Sequence, residues 1–295
     1  MNPGFADLLP GAPGGGNLRV WLKSAAYTRR LLLGEGGDPW QGAAQYLAWF
    51  SQAHGLLRPD VAVIEVGDLY QSLVRREPAL ATEMAAKRRL AWPLRRLLES
   101  TAPRALLAEV IEAVIAHLRG QAPLVLAVPS PRQWLLQANR MAGRDAIELD
   151  PDSIEDAAMY VADVLRSVSH LPVGGLLLEE RIDDGELGPV DVERYRPLIN
   201  VARHYRWTLG LRLGKAALLS IPDGSDLDVL IGDPALVNDA GCAIGVDVGR
   251  RLWAAEAPPP LEPRQFYFAE VPAEQKPEHV LDCLAQLRSL SSRCP

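Results

Sequence analysis

Eight short apolar runs recur along the chain, each of a length typical of a β-strand. Nearly every position within a run is apolar, whereas a strand with one solvated face would alternate apolar and polar residues. Such runs are typical of parallel strands that are buried on both faces. The predicted strands are LRVWL (18–22), VAVIEV (61–66), PLVLAV (123–128), VGGLLLE (173–179), WTLGLRL (207–213), LDVLIG (227–232), CAIGVDV (242–248) and QFYFAEV (265–271).

Segments with helical periodicity lie between most of these strands. In them, apolar residues recur three and four positions apart, which places them on one helix face. The longest segment is interrupted at Pro93, and the connection from Leu213 to Leu227 is too short for an ordinary crossover helix. The predicted helices are 42–57, 79–100, 103–120, 153–170, 191–205 and 277–290.

The alternation of strands and helices predicts an α/β fold: a single-domain (β/α)8 TIM barrel with a shortened crossover between strands 5 and 6. The alternative is an open doubly wound sheet, which would carry a glycine-rich phosphate turn after an early strand. The glycine-rich stretches at 11–16 and 34–38 do not follow a strand. We therefore expect the barrel over residues 18–295, preceded by a flexible tail over residues 1–17.

The composition is that of an ordinary globular protein, with 48% hydrophobic and 23% charged residues among 295. The net charge of -6 argues against a nucleic-acid or membrane-surface partner, because such proteins usually carry a basic excess. No apolar run has the length of a membrane helix, and the N-terminus lacks the pattern of a secretory leader. The three cysteines form no CxxC pair and no cluster with histidines. We expect a cytoplasmic protein without a metal or other cofactor.

In a TIM barrel, functional groups lie at the carboxyl ends of the strands. The sequence places charges of both signs there, including several arginines, which bind carboxylates through paired hydrogen bonds. The predicted partner is therefore a small anionic, carboxylated molecule. The candidate binding residues are Lys23, Arg132, Trp134, Arg181, Arg212, Asp233 and Asp247, and the candidate catalytic residues are Asp68, Tyr70 and Glu180.

Several of these candidates have a structural alternative. Asp68 follows the second strand and could equally be the N-cap of a helix. Arg132 stands at a predicted helix start, where it contributes to an anion pocket or pairs with a neighbouring acid. Side chains alternate along a strand, so either Glu180 or the pair Glu179 and Arg181 faces the barrel interior. A carboxylate and an arginine paired in this run either act in proton transfer or form a structural ion pair.

The remaining candidates depend on where their strands end. Arg212 lies among apolar residues and is expected to point inward, either as a ligand clamp or as the counterion of Asp233. Asp247 ends strand 7, and its role there is either functional or structural. Trp134 is a candidate pocket wall, and Tyr70 is a candidate proton donor alongside Glu180.

Five pieces of sequence carry a resemblance to a known family. They are VAVIEVGDLY (61–70), VLAVPSPRQWLLQANRMAG (125–143), LLLEERIDDGELGP (176–189), VLIGDPA (229–235) and FYFAEVPAEQKPEHV (266–280). Their order resembles the uroporphyrinogen decarboxylase superfamily over residues 18 to 290. This group of (β/α)8 barrels includes cobalamin-independent methionine synthase and corrinoid methyltransferases. In the family, the second strand ends in an aspartate inside the barrel, and Asp68 matches that position.

The resemblance implies a metal-free lyase of decarboxylase type, in which Asp68 interacts with the substrate and its developing charge, and it implies a homodimer. SAAYT (24–28) stands where the family has Arg-Gln-Ala-Gly-Arg, and the family's Gly-His-Gly falls near Ala269 and Glu270. A non-catalytic binding or accessory subunit is therefore one alternative. Another is a methyltransferase with a corrinoid or folate partner, although GLRLGKA (210–216) lacks the zinc-binding His-x-Cys of that branch.

Overall fold

Eight parallel strands alternate with helices and curve into a nearly closed barrel, as the sequence predicts. The structure is a computed structural model that describes residues 4–12, 14, 16–180, 192–214, 226–234 and 241–291. Each predicted apolar run overlaps one strand. The strands are β1 (Val20–Lys23), β2 (Ala62–Glu65), β3 (Leu124–Pro129), β4 (Gly175–Glu179), β5 (Thr208–Arg212), β6 (Val229–Gly232), β7 (Ala243–Asp247) and β8 (Gln265–Glu270).

The strands follow one another around the barrel in chain order. In the described part of the chain, the hydrogen-bonded ladder runs from β2 through β8 to β1 and is open between β1 and β2. The register pairs Lys23 with Glu270 and Glu179 with Arg212. These four residues therefore come to one level at the carboxyl ends of their strands.

The helices surround the strands, and several of them differ from the sequence prediction. The predicted helix 79–100 is two helices, the second with Pro93 in its first turn, where its missing N–H costs no hydrogen bond. Four described helices, at 25–33, 66–76, 131–141 and 249–253, lie outside the predicted helix ranges. The described helices are α1 (Ala25–Leu33), α2 (Ala43–Leu57), α3 (Val66–Arg76), α4 (Pro78–Ala85), α5 (Trp92–Leu98), α6 (Thr101–Leu118), α7 (Pro131–Met141), α8 (Pro151–Ser167), α9 (Arg196–His204), α10 (Gly249–Trp253) and α11 (Pro277–Ser291).

Apolar side chains fill both the layer outside the strands and the inside of the barrel. Trp21 and Leu177 belong to the inner group. Because side chains alternate along a strand, the residues two positions further, Lys23 and Glu179, also face the interior. The barrel therefore changes from an apolar core to a layer of charged groups at its carboxyl end.

The N-terminal segment packs against the opposite end of the barrel. Phe5 and Leu9 are buried, and the ring of Phe5 meets Trp21 edge-on with centroids 5.3 Å apart. A Cβ atom on Gly175 would lie 2.9 Å from Phe5 Cδ1, so the first residue of β4 must be a glycine for Phe5 to fit. Phe5 and Leu9 thus belong to the barrel core, although they fall in the segment predicted to be a tail.

Three connections lie outside the described residues: 181–191, 215–225 and 235–240. They include the predicted shortened crossover and the candidate binding residue Arg181. Within the described ranges, no helix is both long enough and apolar enough to cross a membrane.

Candidate active site at the barrel mouth

A cavity of about 740 Å³ opens at the carboxyl ends of the strands, where TIM barrels carry their functional groups. The side chains that line it come from the ends of the strands and from the first turns of the helices that follow. Its volume is in the range of pockets that hold a small organic molecule. We call this cavity the mouth.

Two cations and three carboxylates form a connected ion-pair network in the mouth. Lys23 Nζ lies 2.5 Å from Glu179 Oε1 and 3.6 Å from Glu65 Oε1. Arg212 Nη1 lies 3.2 Å from the same oxygen of Glu179 and donates a 2.5 Å hydrogen bond to Glu270 Oε2. Glu179 therefore connects the two cations, and the network joins β1, β2, β4, β5 and β8.

Asp247 extends this network from β7. Its Oδ2 lies 3.5 Å from Arg212 Nη2, and its Oδ1 accepts a hydrogen bond of 3.0 Å from the backbone N–H of Gly249. The Arg212 guanidinium also lies over the Phe268 ring, 4.7 Å from its centroid. Arg212 is thus the counterion of Glu179, Glu270 and Asp247, whereas the sequence had suggested Asp233 or a free ligand clamp. Asp233 lines the same cavity after β6.

Two carboxylates of the mouth, Asp247 and Glu270, are more exposed than either cation of the network. The Lys23 side chain is 3% exposed and that of Arg212 is 18% exposed, whereas Asp247 is 27% and Glu270 is 42% exposed. A molecule that enters the mouth therefore meets carboxylate oxygens before it reaches either of these two cations. Arg250 also lines the mouth and is exposed, and none of the described carboxylates lies within ion-pair distance of it.

The electrostatics of the mouth favour a protonated Glu65 and a charged Lys23. Burial raises the pKa of Glu65 to about 7, against the opposing effect of Lys23, and the charges of Asp68, Glu179 and Glu270 raise this pKa further. Burial alone would lower the pKa of Lys23, but Glu179 and Glu65 outweigh it and raise this pKa. Lys23 is therefore a fixed positive charge, and Glu65 exchanges its proton near neutral pH.

Asp68 lines the mouth, one helical turn beyond β2. It lies in the first turn of α3, whose N-cap is Glu65, so the alternative of Asp68 as an N-cap is wrong. Its Oδ2 accepts a hydrogen bond of 2.8 Å from Nη1 of Arg29 on α1. This pair and the pair of Lys23 with Glu65 both span the open side of the ladder between β1 and β2.

Glu180 and Arg132 form a buried ion pair. Arg132 Nε lies 3.5 Å from Glu180 Oε2, and the Tyr195 hydroxyl donates a 2.5 Å hydrogen bond to Glu180 Oε1. Both side chains are buried, that of Glu180 to 2% exposure, and burial raises its pKa. Glu180 reaches the wall of the mouth, but its carboxyl group belongs to a buried ion pair. This favours the structural alternative for both residues.

Tyr70 and Trp134 also lie away from the mouth. Both are fully buried and meet edge-on, with ring centroids 5.5 Å apart. Neither lines the mouth. The prediction of Trp134 as a pocket wall is therefore wrong, and Tyr70 lacks the access that a proton donor to a bound molecule needs.

Several residues of the mouth were not among the candidates, including Glu65, Glu179, Arg250, Glu270 and Trp253. The three glutamates end strands β2, β4 and β8, so the signal that could have found them is position alone. Counting two residues from an inward-facing apolar side chain identifies each of them. Trp253 lies on α10 and carries no comparable signal, because a helical tryptophan usually packs in the core.

No protein-family model matches the sequence, and no curated protein is significantly similar to it. The resemblance to the uroporphyrinogen decarboxylase superfamily therefore stays a prediction. Among the described residues, no group of three or more histidine, cysteine or carboxylate side chains is arranged to hold a metal ion.

Proposed function

We propose that this protein is an acid–base enzyme of lyase type that acts on a small carboxylated compound in the mouth. The observation that carries the proposal is the Glu65 carboxyl group, which lines the mouth, lies 3.6 Å from Lys23 and has its pKa raised to about 7. A general acid or base works best when its pKa is near the working pH. Perturbed carboxyl groups in clefts are frequent at catalytic sites.

The proposed step is replacement of a carboxylate by a proton. Protonated Glu65 donates its proton to the carbon atom that bears the carboxylate, and an electron pair of the substrate's π system forms the new C–H bond. The bond from that carbon to the carboxylate then breaks, its electron pair restores the π system, and carbon dioxide leaves. Glu65 ends the step as a carboxylate and takes a new proton from water.

The charges of the mouth support this sequence of events. The intermediate between protonation and loss of carbon dioxide carries one more positive charge than the substrate. Asp68 and Glu179 line the same cavity and are placed to stabilise that charge. Arg250 is an exposed cation of the mouth that can pair with the carboxylate of the entering molecule. The resemblance to decarboxylases supports the lyase class but does not identify the substrate.

Turnover in D2O tests this proposal. Carboxylated porphyrins, aromatic acids, short dicarboxylates and folates are incubated with the protein, and NMR follows deuterium incorporation and release of carbon dioxide. For any compound that is consumed, Glu65→Gln should lower kcat by about a hundredfold or more, since it removes the proton donor. The control is Glu99→Gln, which removes an exposed carboxyl group from the end of α5 and should leave kcat unchanged.

Two results would contradict the proposal. One is a Glu65→Gln variant that consumes the compound as fast as the wild type. The other is a panel in which no compound is bound or consumed, while the purified protein retains another protein from its host. That result would favour the accessory-subunit alternative.

A further inference from the structure

We infer that the substrate carries a positively charged nitrogen, and that Glu270, Asp247 and Trp253 bind it at the mouth. This inference rests on the proposed function, because it names the substrate class of the same cavity. It differs from the sequence prediction, which derived an anionic partner from the arginines alone.

The charge balance of the ion-pair network around Lys23 and Arg212 favours binding of a positively charged group. Four carboxylates, those of Glu65, Glu179, Asp247 and Glu270, surround the cations Lys23 and Arg212. Even with Glu65 protonated, negative charges outnumber positive ones in this group. An entering ammonium group compensates the excess, whereas an entering carboxylate adds to it.

Arg212 is poorly placed to bind a carboxylate of the substrate. Its two terminal nitrogens already contact Glu179, Asp247 and Glu270 at 2.5 to 3.5 Å. A guest carboxylate would have to displace one of them and leave that carboxylate without its partner. Lys23 is the more deeply buried of the two cations, with a side chain that is 3% exposed. Neither cation therefore offers an open binding position.

Trp253 provides an independent feature of the same wall. Its indole N–H donates a hydrogen bond of 2.7 Å to the backbone oxygen of Glu270, which fixes the ring beside this residue. The tryptophan is only partly buried and lines the mouth. Tryptophan attracts ammonium groups over its ring face, and a neighbouring carboxylate strengthens the attraction. Glu270, Asp247 and Trp253 come together because β7, α10 and β8 are consecutive in the barrel.

Isosteric probes of different charge test this inference. Benzylammonium, benzyl alcohol and benzoate share a ring and a similar size, so they differ mainly in charge. Binding is followed by NMR from the Trp253 indole N–H signal, at a pH above the Glu65 pKa of about 7. Benzylammonium should bind about tenfold more tightly than either other probe, which corresponds to about 1.4 kcal/mol.

The matched variants are Glu270→Gln and Glu274→Gln. Glu270 lines the mouth, whereas Glu274 lies four residues further, is 75% exposed and pairs with Arg30. Both variants remove one negative charge from the same part of the chain. Glu270→Gln should weaken benzylammonium binding about fivefold, in line with a partly exposed ion pair, and Glu274→Gln should leave it unchanged.

Three outcomes would overturn the inference: benzoate or benzyl alcohol binding as tightly as benzylammonium, equal effects of the two variants, or no binding of benzylammonium at millimolar concentration. Folding of Glu270→Gln is checked by its melting temperature and its NMR spectrum. The alternative Glu270→Asp keeps the charge and should retain binding. These measurements need no turnover. Selective ammonium binding without turnover would therefore contradict only the lyase proposal, and turnover without ammonium selectivity only this inference.

Discussion

Lys23 Nζ lies 2.5 Å from Glu179 Oε1, although the two residues are 156 positions apart in the chain. Lys23 ends β1 and Glu179 ends β4, so their contact joins separate parts of the barrel wall across the mouth. Glu179 also contacts Arg212, and through it Glu270 and Asp247. A single buried lysine is thereby part of a charge network that spans most of the barrel.

Glu65→Gln should change how stability depends on pH. The pKa of Glu65 is about 7 in the fold and 4.5 without it, so the folded protein holds the proton more tightly between these values. The contribution of Glu65 to stability is full below about pH 4.5, and it is lost as the pH rises towards 7. The loss is at most about 3 kcal/mol. Urea unfolding of wild type and variant at several pH values should show their difference changing in this interval.

A constant difference between the two proteins over that interval would contradict the raised pKa of Glu65. Other carboxyl groups with raised pKa values, such as Asp60 and Glu180, titrate in both proteins and cancel from the difference.

Arg212→Met should destabilise the fold by about 2–4 kcal/mol, because it leaves three carboxylates without their shared counterion. Urea unfolding measures this loss. Adding Glu270→Gln to the Arg212→Met variant should recover part of it, since one of the unpaired negative charges is then removed.

The control for Arg212 is Arg89→Met. Arg89 pairs with Asp156 at 2.6 Å but is 65% exposed, so its loss should cost less than about 1 kcal/mol. If both arginine variants lost the same stability, the network in the mouth would have no more effect than a surface ion pair.

Phe5→Ala should destabilise the protein by about 3–5 kcal/mol, as expected for loss of a buried aromatic side chain. Phe5 packs on Trp21 and on the glycine at the start of β4, at the end of the barrel opposite the mouth. Thermal or urea unfolding measures the change. A loss below about 0.5 kcal/mol, as for a surface substitution, would show that residues 4–12 do not pack as described.

Tyr195→Phe should destabilise the protein by about 1.5–3 kcal/mol, because it removes a 2.5 Å hydrogen bond to the buried carboxyl group of Glu180. The matched control is Tyr160→Phe on α8, a half-buried tyrosine. Its stability should change little. Equal losses from the two variants would contradict a structural role for the pair of Glu180 and Arg132.

The structure confirms more of the predicted fold than of the predicted site. All eight strands and the barrel were predicted, because continuous apolar runs reflect burial on both faces. The argument from strand ends predicted Lys23, Asp68, Arg212 and Asp247 at the mouth, and these four residues line the cavity. The same argument was wrong for Trp134, because the side chains of a helix after a strand can face the core as well as the mouth.

The sequence by itself determined which segments form strands and, to within one residue, where those strands end, since local patterns of apolar residues carry that information. Only the tertiary structure decided which charges pair. Lys23 with Glu179, Arg29 with Asp68, and Glu180 with Arg132 and Tyr195 are contacts between distant segments. Their distances depend on barrel register and on which face of each strand turns inward. This pairing leaves Glu270 and Asp247 more exposed than Lys23 and Arg212, which is why we infer a positively charged group on the substrate.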